Sequence, residues 1–495
     1  MYDGLEKLEE EEMKKQTPED DVFPSRIPSK EDGDIYKMRH ERWTLRRSSK
    51  SESCLHISES NEGRRELRSS YSSDDEKEIF QNDEAEGSQE NEYFSSVQQP
   101  KSVVMPQLST REAKLRSFMV GHISGKALLG LTELKRYFPD RILKIYILSW
   151  NMNGQPPLRR LDEIVYPSFV EAVPDLLVIG SQESYPARRI WEVDLQEAIG
   201  PSHVLFHSTA LGTLHLALFI RRDLIWFCSE PETSSFSIRQ PTTIKTKGGI
   251  CIMLYFFGTS LLFINSHLSA HHDNVQDRIS DYKRICRGLD FPKILPIKSH
   301  RYTSDITSMF DYVFWFGDLN FRISQPRDAV LEQVSTNGQP RFSQAILKHD
   351  QLLSLITEGS AFKGFSEAPI HFPPTYKYDP GTGNWDSSDK QRTPAYTDRI
   401  LYRCKTSRTV KSLAYDSLTY VKTSDHKPVW GLFTVTIRPG SEANVSYSLF
   451  SIPLSAGLFQ RDIYLAALER RATALEIKKR KTMPSKSKSL VCSIQ

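Results

Sequence analysis

The sequence predicts an α/β fold in which two β-sheets pack face to face and helices cover their outer sides. Three observations support this fold class. Short apolar runs typical of buried strands recur between residues 141 and 437, helical patterns separate several of them, and polar side chains gather where the runs end. Polar groups collected at strand ends are what an active site on the rim of such a sandwich requires.

Strands and helices are predicted from two different periodicities. Runs of β-branched, aromatic and leucine residues indicate strands, whereas apolar residues three and four positions apart indicate helices. The predicted strands are 142–150, 175–180, 216–220, 250–256, 261–266, 313–316 and 429–437. The predicted helices are 161–172, 191–199, 275–288 and 345–358, with a weaker pattern at 110–137 that glycines interrupt. Residues 376–397 are rich in Gly, Asp, Ser and Pro and indicate a long functional loop.

Composition limits the class of protein. The chain has 495 residues, which is enough for one large domain with tails. Its net charge of +3 gives no strong field that would favour nucleic acid. The six cysteines show no paired or metal-type spacing, which indicates a reducing compartment. We find no apolar run long enough to span a bilayer and no signal peptide, so we expect the chain on the cytosolic side of membranes.

Three regions are predicted along the chain. Residues 1–110 are rich in Ser, Glu, Lys and Arg, which predicts a disordered regulatory region. Residues 111–440 form the predicted folded domain. Residues 441–495 form a tail with a helical stretch, in which Tyr464, Leu468 and Leu475 share one face, followed by a polybasic stretch.

The stretch V-F-W-F-G-D-L-N-F-R at 313–322 carries the most distinctive chemistry. An apolar run ends at Gly317, and Asp318, Asn320 and Arg322 follow at alternate positions, so an extended chain points them the same way. An acid can orient or deprotonate a water, an amide can hold phosphoryl oxygens, and an arginine can bind a phosphate with two hydrogen bonds. The alternative is an ordinary turn in which Asp and Asn cap their own backbone.

Five other places put polar groups next to a predicted strand. Each has an ordinary structural alternative, such as a turn residue, a helix N-terminal acid, a satisfied histidine or a surface ion pair. Their common position at strand ends favours one shared site. These groups are Asn151 with Asn153, Glu183, His267, Asp398 with Arg399, and Asp425 with His426.

Taken together, these blocks resemble the inositol polyphosphate 5-phosphatases, which have the endonuclease/exonuclease/phosphatase fold. The matching blocks are W-N-M-N-G, Q-E, S-H-L, F-W-F-G-D-L-N-F-R, P-T-Y-K-Y-D, K-Q-R-T-P-A-Y-T-D-R-I-L and S-D-H-K-P-V. They run in this order across 141–437. The resemblance implies a two-sheet α/β sandwich whose site depends on Mg²⁺.

By resemblance, the metal is held by oxygen ligands. Mg²⁺ is a hard cation that keeps several waters, so one carboxylate with substrate oxygens can suffice. The resemblance makes Glu183 the main ligand, places Asn151 and Asn153 beside it, and makes Asp425 a second acid near the metal.

The resemblance also assigns catalytic roles. Asp318 would position and activate the attacking water, and Asn320 would hold that water and the phosphoryl group. Asp398 would orient His426, because a carboxylate fixes the tautomer of an imidazole. His426 and His267 would bind the scissile 5-phosphate, and catalysis would rest on positioning and electrostatics without a covalent intermediate.

Substrate recognition is implied for the long loop. In the family, the residues matching Tyr376, Lys377 and Lys390 bind the inositol 4-phosphate, while Arg322 and Arg399 would shape the phosphate pocket. The alternative for the lysines is a solvated loop. The implied substrates are phosphatidylinositol 4,5-bisphosphate and phosphatidylinositol 3,4,5-trisphosphate, each losing its 5-phosphate.

The tail independently favours a lipid substrate. Cys492 begins the sequence C-S-I-Q, which fits a C-a-a-X prenylation box, and Gln at its last position favours farnesyl. A lipid chain and a basic patch together give stable membrane association. Residues 459–465 resemble the targeting element of a prenylated family member of primary cilia and Golgi. The resemblance therefore implies phosphoinositide lipids, a prenyl-binding carrier protein and ciliary targeting factors as partners.

Two other functions share some of these features. An abasic-site endonuclease of the same fold would use the same Asn, Glu, Asp-x-Asn and Asp-His elements, since both reactions attack a phosphate ester. Against it stand the Tyr376, Lys377 and Lys390 blocks, the weak overall charge and the lipidation box, so we expect no nucleic acid partner. The other is an inactive, membrane-tethered scaffold that binds phosphoinositides.

Overall fold

A computed structural model of the chain describes residues 131–156, 161–165, 173–239, 246–290, 305–405, 410–439 and 459–482. The predicted disordered region 1–110, most of the helical pattern at 110–137, and Cys492 lie outside the described residues. Within the described part of the chain, no helix is both long and apolar enough to cross a bilayer.

The first sheet has six strands in the order β13-β14-β1-β2-β4-β3. Strands β1 and β2 run parallel, and the other neighbours are antiparallel. Its strands are β1 Ile142–Asn151, β2 Leu176–Gln182, β3 His203–Leu211, β4 Leu214–Arg221, β13 Lys411–Ser417 and β14 Val429–Thr436.

The second sheet also has six strands, in the order β11-β12-β8-β7-β6-β5. Here β7 and β8 are the parallel pair. Its strands are β5 Glu232–Ser237, β6 Gly248–Phe256, β7 Thr259–His267, β8 Tyr312–Asp318, β11 Ser366–Glu367 and β12 Asp398–Cys404. A separate short hairpin pairs β9 Ser335–Thr336 with β10 Gln339–Pro340.

Helices cover the outer faces. Those before the tail are α1 Leu131–Tyr137, α2 Asp162–Val165, α3 Arg188–Ile199, α4 Val275–Gly288, α5 Arg327–Val334 and α6 Gln351–Glu358. The tail helix is α7 Arg461–Thr482. Short 3-10 turns occupy Arg222–Phe227, Ile306–Met309 and Ile346–His349.

The core between the sheets is apolar and rich in aromatic rings. Phe314 of β8 lies 5.8 Å from the ring of Phe263 on β7 and 5.3 Å from that of Phe433 on β14, so it joins the two sheets. All three side chains are fully buried, and burial of each stabilises the fold by about 1.5–3 kcal/mol. The predicted two-sheet α/β sandwich is therefore confirmed.

All the predicted strands are present, most of them one to three residues longer than predicted. Strands β3, β5 and β13 were not predicted because edge strands alternate or lack apolar residues, as in the polar sequence of Glu232–Ser237. The predicted helix at 345–358 is broken at Asp350, whose side chain accepts a hydrogen bond from the Leu353 amide at 3.0 Å and so starts α6.

The tail helix packs against α3 and β3. Ile463 and Ala467, both buried, insert among the side chains of Trp191 and Leu205. Of the three residues predicted to share one face of this helix, Tyr464 and Leu468 are partly buried, whereas Leu475 is 60% exposed. The face that packs therefore lies in the first two turns of α7.

Ion pairs and a backbone hydrogen bond hold this helix in place. Arg189 pairs with Asp462, and Arg470 pairs with Asp194, each at 2.6 Å. The Gln460 amide donates to the Leu205 carbonyl at 2.8 Å, just before the helix begins. Part of the tail thus belongs to the same compact unit as the sandwich.

Candidate active site

The two parallel strand pairs bring their carboxyl ends to one rim of the sandwich. In the first sheet Asn151 pairs with Gln182, so β1 and β2 end together. In the second sheet Asp318 lies between His267 on one side and Asp398 on the other. The predicted site residues of six separate segments meet at this rim because strand ends of both sheets face the same way.

Asp318 occupies the centre of the rim and links the sheets. Its Oδ2 accepts a hydrogen bond from Asn151 Nδ2 at 3.0 Å and lies 3.0 Å from His267 Nε2. Its Oδ1 accepts from the Asn320 amide at 3.1 Å. Burial alone would raise the pKa of Asp318, but contact with His267 and the charges of His426 and Lys247 hold that pKa far below its usual range. The carboxylate is therefore ionised and able to accept a hydrogen bond from a water.

His426 and Asp398 form a buried dyad beside Asp318. His426 Nδ1 donates to Asp398 Oδ2 at 2.9 Å, and the hydroxyls of Thr375 and Thr397 donate to the same oxygen at 2.7 Å and 2.9 Å. Burial alone lowers the pKa of His426, but Asp398 outweighs it and raises that pKa to about 10. The imidazole is therefore cationic at neutral pH, with Nε2 left to face a ligand.

Arg322 and Tyr376 enclose the site from the loop side. Arg322 Nη2 donates to Asn320 Oδ1 at 2.5 Å, and the Arg322 guanidinium carbon lies 4.4 Å from the centre of the Tyr376 ring. The centre of that ring also lies 4.7 Å from the centre of the His426 ring. Asn320 Nδ2 donates to the Leu268 carbonyl at 3.2 Å. Each of these polar groups is held in one orientation before any ligand binds.

The long loop contributes cations at the mouth. Lys377 Nζ lies 3.9 Å from Asp386 Oδ1 and 4.0 Å from Asp425 Oδ2. Lys390 is exposed. Slight burial and then the charges of Arg392, Arg322, Lys247 and Lys390 lower the pKa of His271, so these four cations are all near enough to act on it.

Comparison with known proteins identifies the family. Residues 148–432 match the family model described as "Endonuclease/Exonuclease/phosphatase family 2". The Arabidopsis thaliana protein "Type IV inositol polyphosphate 5-phosphatase 11" is 33% identical over 291 residues, which is 58% of this chain and 81% of that relative. The chain belongs to the inositol polyphosphate 5-phosphatase family. Its predicted membership is thereby confirmed, and the family is one of phosphoric monoester hydrolases.

Two further similarities extend this result. The human "Phosphatidylinositol polyphosphate 5-phosphatase type IV" is 44% identical over 391 residues, covering 78% of this chain and 59% of that relative. The chain thus spans about three fifths of the length of these relatives. A crystal structure of the inositol polyphosphate 5-phosphatase domain of SPsynaptojanin, in complex with inositol (1,4)-bisphosphate and calcium ion, aligns with a TM-score of 0.53 and 29% identity. That alignment covers 68% of this chain and 93% of that one.

In this 5-phosphatase-family chain, hard oxygen donors collect on the first-sheet side of Asp318. The Asn153 amide donates to Asn151 Oδ1 at 3.0 Å, and the Gly154 amide donates to the Glu183 carbonyl at 2.7 Å. Asn153 thus contacts Asn151 through its backbone. The negative charge of Glu183 acts on both Lys247 and His267, which places that carboxylate near the rim centre. Carboxylate and amide oxygens fit a divalent ion such as Mg²⁺ or Ca²⁺.

A second group of possible ligands, Asp318, Asp398 and His426, has its ligand atoms within 4.8 Å of one another. His426 Nδ1 and Asp398 Oδ2 are already hydrogen-bonded to each other, so these two atoms are not available to bind a metal. The oxygen set around Glu183, Asn151 and Asp318 is therefore the better place for a metal, with Asp425 at the margin beside Lys377.

The structure corrects the predicted role of Arg399. Its neighbour Asp398 faces the site, and strand alternation turns Arg399 to the opposite face of β12. There it is fully buried, with Nη1 3.0 Å from Asp350 and Nη2 2.5 Å from Glu367. Arg399 is therefore part of a core ion-pair network and does not shape the phosphate pocket.

Sequence reasoning missed Lys247. This residue is buried immediately before β6, and its Nζ contacts His267 Nε2. The sequence T-K-G-G could have indicated a fixed backbone next to this lysine. A Cβ on Gly248 would lie 2.2 Å from the Phe236 carbonyl oxygen, so the backbone there is closely packed. Only glycine fits that turn, which fixes the lysine beside the site.

A buried amide pair behind the rim was also missed. Gln182 Nε2 donates to Asn265 Oδ1 at 2.7 Å, which ties β2 of one sheet to β7 of the other. Asn265 Nδ2 donates to the carbonyls of Ser181 and His215 at 3.0 Å and 2.8 Å. Gln182 stands beside Glu183 and Asn265 stands two residues before His267, but these positions do not show that the two amides meet, so only the packed structure identifies this link.

Proposed function

We propose that this protein is a divalent-metal-dependent phosphatase that removes the 5-phosphate from phosphoinositides at a membrane. The proposed substrates are phosphatidylinositol 4,5-bisphosphate and phosphatidylinositol 3,4,5-trisphosphate, with Mg²⁺ as the cofactor. The observation that carries this proposal is the ionised Asp318, held between Asn151 and His267 and facing the cationic His426–Asp398 dyad.

The arrangement suits direct attack by water on phosphorus. Asp318 would orient the water by accepting its hydrogen bond as the new P–O bond forms. The bond from phosphorus to the inositol oxygen would break, and the proton lost by the water would be replaced, through solvent, by one on that oxygen, so that inositol leaves with a hydroxyl. His426, cationic at neutral pH, would donate from Nε2 to a phosphoryl oxygen, and Asn320 would hold the water and the phosphoryl group. A divalent ion held by Glu183 and Asn151 would supply further positive charge to the phosphoryl oxygens.

The loop cations support a polyphosphorylated substrate. Lys377, Lys390 and Arg392 surround the mouth, and the Tyr376 ring lies between Arg322 and His426. Such a rim can hold a second phosphate on the same ring while the first lies in the site. The SPsynaptojanin domain, whose structure contains inositol (1,4)-bisphosphate, supports this interpretation, because that molecule lacks a 5-phosphate.

The experiment compares phosphate release from vesicles that contain either lipid. We expect turnover with Mg²⁺, loss of turnover with a chelator, and at least a 10²-fold lower kcat for Asp318→Asn and His426→Ala. Asp328→Asn is the matched control, since Asp328 is an exposed acid on α5 that is not one of the predicted site residues. Nicking of abasic DNA without phosphate release from vesicles would instead establish the nuclease, and phosphoinositide binding without either reaction would establish a scaffold.

The membrane part of the proposal rests on the tail sequence. Cys492 would carry a farnesyl group and the basic stretch at 478–481 would contact anionic lipid, with a prenyl-binding carrier and targeting factors as partners at primary cilia and Golgi. Cys492→Ser should move the protein from the membrane fraction to the supernatant. Equal partition of the two proteins would refute the anchor and leave the phosphatase proposal standing.

A further inference from the structure

Lys247 is a buried cation in the candidate active site. Only 4% of its surface is exposed. The Ile238 amide donates to its carbonyl at 2.9 Å, and the next residue, Gly248, pairs with His267 across β6 and β7. The backbone on both sides of Lys247 is thus fixed by the sheet, and its side chain is directed to the rim.

Its contacts leave the ammonium short of acceptors. Lys247 Nζ contacts His267 Nε2, and the same nitrogen lies 3.0 Å from Asp318 Oδ2. A ring nitrogen carries either one lone pair or one proton, so Nε2 cannot accept from Lys247 and donate to Asp318 at the same time. One of these two contacts is therefore left without a hydrogen bond.

The charge of Lys247 is also incompletely balanced. Among the described residues, no carboxylate lies within the 4.0 Å ion-pair distance of its Nζ. Asp318 and Glu183 act on it only from farther away, and burial lowers the pKa of Lys247 to about 8. A buried ammonium without a close counter-ion is costly, and an arriving anion removes that cost.

The neighbouring groups define the anion. His426, Arg322 and Lys247 all carry positive charge around the central Asp318. A phosphate monoester has several oxygens, so it can accept from these cations at once while its phosphorus faces the water held by Asp318. A ligand with a single carboxylate has only two oxygens, which are too few to accept hydrogen bonds from all three cations.

We propose that Lys247 is a further catalytic residue, whose ammonium donates to a non-bridging oxygen of the scissile phosphoryl group. This inference rests on the proposed phosphatase function of the same site. Once the phosphoryl oxygen takes the Lys247 hydrogen bond, His267 Nε2 is free to donate to Asp318. Because charge is redistributed over the phosphoryl oxygens in the transition state, the ammonium stabilises that state more than the bound substrate.

The test combines turnover with binding of inorganic phosphate and orthovanadate to the full chain. For Lys247→Met we expect kcat to fall by about 10²–10³-fold, as for loss of one preorganised donor. We expect KM to change far less. Phosphate and vanadate should bind about 10–100-fold more weakly than to the wild type, measured by thermal shift and calorimetry. Lys247→Arg should recover part of kcat, since it restores the positive charge.

The matched control is Lys405→Met. Lys405 Nζ donates to the Met309 carbonyl at 3.2 Å, near the end of β12 opposite Asp398. It should keep wild-type kcat and phosphate affinity. If Lys247→Met fails to fold, Lys247→Gln and the arginine variant serve in its place.

The outcomes separate this proposal from the proposed function. Wild-type phosphate affinity in a folded Lys247→Met protein, or kcat within about threefold of wild type, overturns the role of Lys247. Absence of vesicle turnover by the wild type overturns the phosphatase, while loss of phosphate binding in the variant still supports Lys247 as an anion ligand.

Discussion

Replacing Asp398 by Asn tests the central electrostatic argument. The pKa of His426, about 10, lies about 3.5 above the ordinary histidine value of 6.5. Since each pKa unit corresponds to about 1.36 kcal/mol, the surroundings favour the protonated ring by about 5 kcal/mol. The Asp398 carboxylate, 2.9 Å from Nδ1, is the largest favourable contribution.

The expected result is a displaced pH profile. Loss of one opposite charge in direct contact lowers a histidine pKa by about 1–3. Loss of the Lys247 proton, whose pKa is about 8, gives the wild type a first decline in kcat/KM above about pH 8. If cationic His426 holds the phosphoryl group, its deprotonation gives a second decline as pH approaches about 10. In Asp398→Asn this second decline should begin about 1–3 pH units lower.

The assay is phosphate release from vesicles between pH 6 and 10, with Asp328→Asn as the control. An alkaline limb at the same pH in Asp398→Asn and wild type would refute the dyad argument.

The pH dependence of folding stability tests the His426 pKa independently. His426 binds its proton more tightly when folded, so its contribution is complete below pH 6.5 and is lost as pH rises toward about 10. The free energy of unfolding should therefore fall less steeply with pH over this range in Asp398→Asn than in the wild type.

Three further predictions concern other parts of the structure. Arg399→Met should lower the free energy of unfolding by about 3–5 kcal/mol in urea, because Asp350 and Glu367 lose their buried partner; a change below 1 kcal/mol would contradict the network. Ile463→Ala should cost about 2–5 kcal/mol if α7 unfolds with the domain, whereas the exposed Leu475→Ala should stay within about 0.5 kcal/mol. Tyr376→Ala removes the ring between Arg322 and His426, so KM for vesicle substrate should rise about tenfold, and an unchanged KM would exclude the ring from substrate binding.

The sequence predicted the site better than it predicted individual side-chain directions. Polar groups at strand ends were expected to meet, and parallel strands bring Asn151 and Asp318 together. Arg399 was assigned wrongly because it stands beside Asp398 in one motif, and strand alternation sends neighbours to opposite faces. A motif records which residues are adjacent, whereas the pleat decides which of them share a surface.

Other features depend on packing that periodicity cannot report. Lys247 lies in a short turn without a strong pattern, and its role appears only once β6 lies beside β7. Edge strand β5 is polar because one side of it faces no neighbouring strand of its sheet. Helical spacing placed Leu475 on one face with Tyr464 and Leu468, but the buried apolar residues of α7, Ile463 and Ala467, lie in its first two turns.

The docking of α7 links recognition of the tail to the folding of the whole domain. Ile463 lies in the core contact, whereas Leu465, two residues later, is 44% exposed. A receptor that enclosed both residues would have to detach the helix first, so it would bind the full chain more weakly than a peptide of the same sequence, by a factor equal to the docking equilibrium constant. A receptor that read only the outer face would bind both equally. Comparing the two affinities would therefore measure how strongly α7 is held against the sandwich.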